Sequence, residues 1–194
     1  MTLLVVVFLA DLASLYAWWH DPSVAKENHA LEVAQAAMLL AACSMHGGHA
    51  YRMRQTRISF LMHAGLALLT LSFALRELDI DRFGDASVWS VVQSTLRTLA
   101  AMLWFVFFSL VIRYRKIVFG RLFSILLKPP MSFAILAGVF FIAGWPFDKG
   151  LVLHNVAISE LAEETLELSG CVILLASSCF HQMAPRRCSF QWIE

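Results

Sequence analysis

Six long apolar stretches constrain the fold of this chain more than any other feature. They cover residues 2–19, 30–50, 58–75, 88–112, 131–146 and 161–180. A helix of about 20 apolar residues crosses a bilayer core roughly 30 Å thick, whereas β-strands seldom exceed about ten residues. The stretches therefore predict an all-α fold, a polytopic transmembrane bundle of six spanning helices that forms a single domain over residues 1–194.

The composition agrees with a membrane location. Of the 194 residues, 59% are hydrophobic and 15% are charged. A soluble domain has about a quarter charged residues and fewer apolar ones, so this chain has too few polar residues to cover a water-facing surface. A soluble enzyme is excluded. Six spans also leave only short connections, so we expect no separate aqueous domain.

The first stretch has a second interpretation, a cleaved signal peptide. No Lys or Arg precedes the apolar run in 2–19, and no clear Ala-x-Ala cleavage site follows it. We therefore interpret 2–19 as a retained helix, with cleavage as the alternative.

The basic residues predict the orientation. Ten of them lie in the connections after the second and fourth stretches and in the C-terminal tail: Arg52, Arg54, Arg57, Arg113, Arg115, Lys116, Arg121, Lys128, Arg186 and Arg187. By the positive-inside rule this side is cytoplasmic, which predicts both termini inside and a multi-pass protein of the inner membrane. The apolar segment 117–127, with its interspersed basic residues, predicts a short amphipathic helix on the inner leaflet.

Acidic residues collect on the opposite side, most densely where the last helix begins. Glu160, Glu163, Glu164 and Glu167 have spacings of three, four and seven, which place them on one helix face. Carboxylates this close repel, and near lipid they require protons, a bound cation or basic partners. Helix capping is the alternative interpretation, because acidic residues in a first turn interact favourably with the helix dipole.

Other segments offer polar groups at a similar predicted depth. Glu32 and Gln35 lie near the outer end of the second helix, and Arg97 lies inside the fourth, where an unpaired guanidinium would be costly. We expect Arg97 to pair with Glu32 or Glu167. Arg76 and Asp79, in the acidic segment after the third helix, would complete an outward-opening cup. That segment lacks the calcium-loop pattern and is also explained as a solvated loop.

Histidines form a competing candidate site near the inner side, with ligands His46, His49, His63 and His181. Imidazoles on facing helices can bind a metal or haem. Hydrogen-bonded or solvated histidines at the interface are the alternative. The four cysteines follow no metal-binding or disulfide spacing and are interpreted as small buried apolar residues.

Small residues predict close contacts between helices. Gly65 and Ala67 form one candidate packing face, and Ala134 with Gly138, at small-xxx-small spacing, form another. None of the common catalytic motifs of soluble enzymes is present in the sequence.

Three features together resemble a group of uncharacterised small bacterial inner-membrane proteins. These features are Glu32 with Gln35 at a helix start, the segment 76–81 with the pattern Arg-Glu-x-Asp-x-Asp, and the glutamates that open the last helix. The resemblance implies a polytopic inner-membrane protein and no particular activity. A looser similarity to membrane hydrolases of the alkaline ceramidase type, which hold zinc in a helical bundle, assigns no residue roles here.

The sequence supports three functional hypotheses. In the first, an acidic outer-leaflet site binds a cation or a polar lipid or substrate group, with hydrolase chemistry as one version and a divalent metal as a candidate cofactor. In the second, the same residues are structural ion pairs of a non-enzymatic membrane subunit or scaffold. In the third, less favoured, the protein is a b-type cytochrome. The expected partners are the lipid bilayer and a membrane protein or second copy, with no nucleic acid.

Overall fold

In a computed structural model, residues 2–25, 30–78, 86–149, 151–152 and 155–183 are described. Within these ranges the chain is helical and contains no strand. Eight α-helices follow one another: α1 (Thr2–His20), α2 (Ala30–Arg52), α3 (Arg57–Glu77), α4 (Ala86–Arg113), α5 (Arg115–Gly120), α6 (Leu122–Leu126), α7 (Pro129–Asp148) and α8 (Val156–Met183). The all-α prediction is confirmed, and each of the six apolar stretches lies within a long helix.

Four of the long helices are long and apolar enough to cross a membrane. These are α1, α3, the part Val88–Arg113 of α4, and α7. The other two long helices, α2 and α8, are long enough but more polar. Helix α2 carries Glu32, Gln35 and two histidines, and α8 carries four glutamates, so neither is as apolar as the four candidate spans.

The polar helix α8 lies at the centre of the bundle. It packs along α7, α2 and α1, while α3 packs against α2 and α4 packs mainly against α3. The apolar core between these helices includes Leu39, Leu66, Ala137, Cys171 and Leu174, all nearly or fully buried. The more polar helices are therefore surrounded by the more apolar ones.

Contacts between α2 and α8 show that these helices run side by side in the same direction. Gln35 is level with Glu164, His46 with Ser177, and His49 with Ser178. Because a short turn joins α2 to α3, α3 runs in the opposite direction. Polar side chains from α2, α3 and α8 consequently meet in two layers, one near each end of the bundle.

The two peripheral helices expose large apolar side chains. On α1, Leu4 is 75% exposed and Phe8 is 61% exposed, and on α4 Phe105 is 75% exposed. Soluble monomers rarely leave such continuous apolar surfaces facing water. These helix faces are suited to contact with lipid.

Glycine permits one close helix contact at Gly170, where a Cβ would lie 2.9 Å from the Phe141 ring. A Cβ on Gly65 would similarly lie 2.8 Å from Phe107, in agreement with the predicted packing face there. Of the face predicted at Ala134 and Gly138, Ala134 is buried in the core, whereas no described atom would lie within 4 Å of a Cβ at Gly138. The spacing of small residues does not by itself say which helix face meets a neighbour.

The segment predicted to be amphipathic forms the two short helices α5 and α6, which are separated at Arg121. Ile125 is buried against the bundle, whereas Phe119, Phe123 and Leu127 are exposed. The segment therefore has one side on the protein and one apolar side available to the membrane.

Candidate functional site

Polar side chains from three helices, all of them largely buried except Arg76, meet near the beginning of α8. Glu164 and Glu167 come from α8, Gln35 comes from α2, and Arg76 with Glu77 ends α3. We call these five residues the acidic cluster. The residues lie together because α2 and α8 begin at the end of the bundle where α3 finishes.

Arg76 joins α3 to α8. Its Nη2 atom lies 2.6 Å from Oε1 of Glu77 and 2.6 Å from Oε1 of Glu167, and its Nε donates to Glu77 over 2.8 Å. The guanidinium carbon is also 5.7 Å from the ring centres of Phe73 and Phe141. Charge-assisted hydrogen bonds of this length are among the stronger polar contacts in proteins, so Arg76 holds two carboxylates in place.

Gln35 links α2 to the same group and is fully buried. Its Nε2 donates to Oε2 of Glu164 over 2.8 Å and to the backbone oxygen of Glu164 over 3.1 Å. Its other polar atom, Oε1, is buried and has no hydrogen-bond partner among the described residues. A buried amide oxygen without a partner is energetically costly, and such atoms in native structures call for an explanation.

Two further predicted site residues lie at the edge of the acidic cluster. Glu32 is near enough to Glu164 and Glu77 to interact electrostatically with both. Glu163 is half-buried and interacts electrostatically with Asp148, Glu167 and Arg76. The structure therefore brings together Glu32, Gln35, Arg76, Glu163, Glu164 and Glu167 of the residues that the sequence proposed.

The charge in this region is unbalanced. Glu77, Glu164 and Glu167 approach one another, and Arg76 is the cation that contacts these carboxylates in the described structure, whereas Glu163 at the edge also has Lys149 nearby. Several carboxylates in a buried setting cannot all be ionised without added positive charge. The arrangement can accept a cation, the ammonium group of a larger ligand, or protons.

Arg97 is not among the residues whose contacts are described above. The expectation that Arg97 is buried needs correction, because its side chain is exposed on α4, which packs mainly on α3. Arg76 is the guanidinium that pairs with Glu167. Asp79 lies outside the described residues.

Sequence reasoning missed two polar groups. Glu77 was assigned to the loop after α3, but its side chain is only 6% exposed and contacts Arg76. Asp11, in the middle of the apolar α1, accepts a hydrogen bond of 2.8 Å from the Ser169 hydroxyl on α8. The signal for Asp11 was its presence inside an apolar span, where a carboxylate requires a polar neighbour.

The second polar layer contains three of the four predicted histidines. Nδ1 of His46 lies 3.1 Å from Nδ1 of His63, and Nε2 of His46 lies 3.0 Å from the Ser177 hydroxyl. Nε2 of His49 lies 3.2 Å from the backbone oxygen of Ser178. The side chain of His181 lies outside the part of the chain that the structure describes.

The contacts of the histidines limit which haem or metal group these side chains could bind. The rings of His46 and His63 touch directly, with centres 5.3 Å apart, so a porphyrin does not fit between them in this arrangement. Across the described ranges, no group of three or more His, Cys, Asp or Glu residues has the arrangement of a metal site. Hydrogen bonding within the bundle accounts for the observed positions of His46 and His49.

Comparisons with known proteins give no relative for this chain. No protein-family model, curated protein or solved structure matches it.

Proposed function

We propose that this chain is a multi-pass protein of the bacterial inner membrane that binds a cationic group at the acidic cluster. The helical structure and the four apolar helices support integration into a membrane. The choice of the inner membrane rests on the resemblance described above and on the positive-inside pattern of the loops.

In this proposal all six long helices cross the membrane. The polar residues of α2 and α8 lower the hydropathy of these helices, but Gln35, Glu164, Glu167, His46 and Ser177 are buried inside the bundle. Intramembrane polar residues typically face the bundle interior, where other helices and not lipid surround them. Six crossings place both termini in the cytoplasm and the acidic cluster near the outer face.

A single atom carries the functional proposal, the buried Oε1 of Gln35. Gln35 donates through Nε2 to the carboxylate of Glu164, while this Oε1 has no hydrogen-bond partner among the described residues. Amide and carboxylate oxygens accept hydrogen bonds from an ammonium group, and they are also the ligand types of Na⁺, Mg²⁺ and Ca²⁺, although no three acidic side chains in the described ranges have the spacing of a metal site. A bound cationic group would at once provide a partner for this oxygen and balance the charge.

The experiment uses the full chain in neutral detergent. Thermal unfolding is followed while NaCl, MgCl₂, CaCl₂ and ethanolamine hydrochloride are added separately at matched ionic strength. We expect one probe to raise the unfolding temperature in a saturable way. The metal salts and ethanolamine distinguish a bare ion from an amine group.

Two variants make this test specific. Glu164→Gln should abolish the saturable shift, whereas Glu160→Gln, one turn earlier on α8, should retain it. Glu160 is a matched control because it belongs to the same helix and to the same predicted stripe. The proposal is wrong if no probe gives a saturable shift, or if Glu164→Gln responds as the unaltered protein does.

The main alternative is a scaffold in which the same residues are structural ion pairs, an idea favoured by the two 2.6 Å contacts of Arg76. If the protein is such a scaffold, either no cation binds or Glu163→Gln and Glu167→Gln leave cation binding unchanged.

In a hydrolase, one carboxylate would act as general base, but no nucleophile is identified. A visible absorption spectrum of the purified protein tests the haem alternative.

The proposed partners are the bilayer and a second copy or another membrane protein, and no feature points to nucleic acid. The exposed apolar faces of α1 and α4 supply the surface for these contacts.

A further inference from the structure

An apolar cavity lies at the other end of the bundle from the acidic cluster. It has a volume of about 250 Å³, is open on one side, and is lined by residues of α3, α4, α5, α6 and the start of α7. Among its lining residues are Leu61, Leu69, Trp104, Phe107 and Ile125. Because an apolar cavity of about 150 Å³ can hold a benzene molecule, this one is large enough for part of a hydrocarbon chain.

A basic cleft lies beside the cavity. Its lining contains four cations, Arg57, Arg113, Arg115 and Lys116, together with Tyr114. The guanidinium carbon of Arg57 is 5.1 Å from the centre of the Tyr114 ring, and this contact joins the start of α3 to the end of α4. The cleft therefore has a defined wall and a strong positive charge.

The cleft and the cavity adjoin along three separate segments. Arg57 lines the cleft and Ile58 lines the cavity, Ile112 lines the cleft and Val111 the cavity, and Ile117 lines the cleft and Val118 the cavity. A molecule with a charged end and a hydrocarbon end can thus contact both.

The charge around this region has one sign. Neither 52–57 nor 113–128 contains an acidic residue, while together they contain eight Arg and Lys residues. Basic pockets between transmembrane helices on the cytoplasmic side bind anionic lipid headgroups, and the positive-inside pattern assigns this end to the cytoplasm.

We propose that the basic cleft and the apolar cavity form a binding site for one anionic glycerophospholipid of the inner leaflet. The phosphate contacts Arg57 and Arg113, and one acyl chain enters the cavity beside Trp104 and Phe107. This site is separate from the acidic cluster and does not depend on the function proposed there.

The test measures lipid retention by the full chain in neutral detergent with native mass spectrometry. Dioleoylphosphatidylglycerol is titrated against dioleoylphosphatidylcholine, which has the same acyl chains and no net charge. We expect one phosphatidylglycerol to bind saturably and phosphatidylcholine to bind at least tenfold more weakly. Equal binding of the two lipids overturns the proposal.

Charge variants locate the headgroup. Each cation near an anionic surface contributes about a fivefold change in affinity, so Arg57→Gln with Arg113→Gln should weaken phosphatidylglycerol binding by about 25-fold. Arg52→Gln with Arg54→Gln, which removes two exposed cations of the neighbouring loop, is the matched control. An equal loss in the control indicates diffuse attraction to the basic loops and refutes a defined site.

A filling variant locates the acyl chain. Val111→Phe adds volume at the cavity wall and should weaken phosphatidylglycerol binding while leaving the helical circular dichroism signal unchanged. Inorganic phosphate and glycerol phosphate, added without lipid, should not raise the unfolding temperature. If either anion stabilises the protein as well as phosphatidylglycerol does, the cleft is an anion site and the lipid proposal is wrong. Should Val111→Phe fail to fold, the charge variants still decide the question.

Discussion

Position along a helix does not determine which arginine balances the acidic cluster. Arg97 lies inside an apolar helix and Arg76 near the end of one, which made Arg97 the expected partner of the glutamates. In the structure Arg76 contacts Glu77 and Glu167, whereas Arg97 is exposed on α4. The long arginine side chain reaches from the end of α3 to α8, while α4 lies on the far side of α3.

Arg76→Gln should therefore destabilise the protein more than Arg52→Gln, which changes an exposed arginine at the end of α2. The first change leaves Glu77 and Glu167 near each other without their cation, and breaking fully buried pairs costs about 3–5 kcal/mol. Because the Arg76 side chain is 49% exposed, we expect a smaller loss of about 2 kcal/mol in the free energy of unfolding.

Thermal or denaturant unfolding in detergent measures this difference. Arg52→Gln is the control, with an expected change within about 0.5 kcal/mol, as is usual for exposed positions. An equal loss of stability in the two variants would mean that the contacts of Arg76 with Glu77 and Glu167 add nothing.

Ser177 gives a second comparison at the residue scale. Its hydroxyl lies 2.7 Å from the Leu174 oxygen on its own helix and 3.0 Å from Nε2 of His46 on α2. Ser177→Ala removes the contact between helices and should cost about 1 kcal/mol in unfolding free energy.

The matched control for Ser177 is Ser109→Ala. Ser109 is exposed and its hydroxyl bonds to the Phe105 oxygen of its own helix, so this variant removes the local bond alone. Equal stability changes in the two variants, measured by thermal unfolding, would mean that the contact with His46 contributes nothing.

At the scale of elements, α7 and α8 pack closely because Gly170 faces the Phe141 ring. Phe141 has little freedom to move, since it is buried and its ring centre is 4.6 Å from that of Phe73. Gly144 on α7 is a second close point, where a Cβ would contact the Glu167 side chain at 3.6 Å. The contact between these two helices thus also positions a glutamate of the acidic cluster.

Gly170→Ala is expected to destabilise the protein by about 1–3 kcal/mol, because the added methyl group forces a buried ring to shift. Gly138→Ala on α7 is the control. It should be neutral or stabilising by up to about 1 kcal/mol, since alanine favours helix and its Cβ meets open space. Thermal unfolding measures the sign of the stability change in each variant. The same sign in both variants would contradict this packing.

At the scale of the whole molecule, the proposed orientation is testable by chemical labelling. Arg54 and Lys149 are exposed and lie at opposite ends of the helical bundle. In a variant without its native cysteines, Lys149→Cys should react with a membrane-impermeant maleimide in intact cells that permit access to the outer face of the inner membrane. Arg54→Cys should react only after the inner membrane is made permeable.

Labelling of Arg54→Cys in intact cells would reverse the proposed orientation. Labelling of both positions before permeabilisation would mean that the segment between them crosses the membrane an even number of times, or that it does not span. Either result would also move the proposed lipid site out of the inner leaflet.

Much of the element-level structure was predictable. A long uninterrupted apolar run has few alternatives to a helix, because every backbone polar group in lipid must bond within its own segment or in a closed barrel. For the same reason the predicted bounds of α3 and α7 lie within a few residues of the observed ones. The acidic face of α8 was predictable from helical periodicity alone.

The sequence by itself determined that this chain forms long helices with separated basic and acidic ends, since apolar length, helical period and loop charge are local properties. The tertiary structure alone decided that α8 is central, that Arg76 and not Arg97 reaches Glu167, and that Glu77 joins the acidic cluster. These outcomes depend on which helix faces meet and at what level. Many arrangements of six long helices satisfy the same hydrophobic pattern, and specific side-chain packing distinguishes among them.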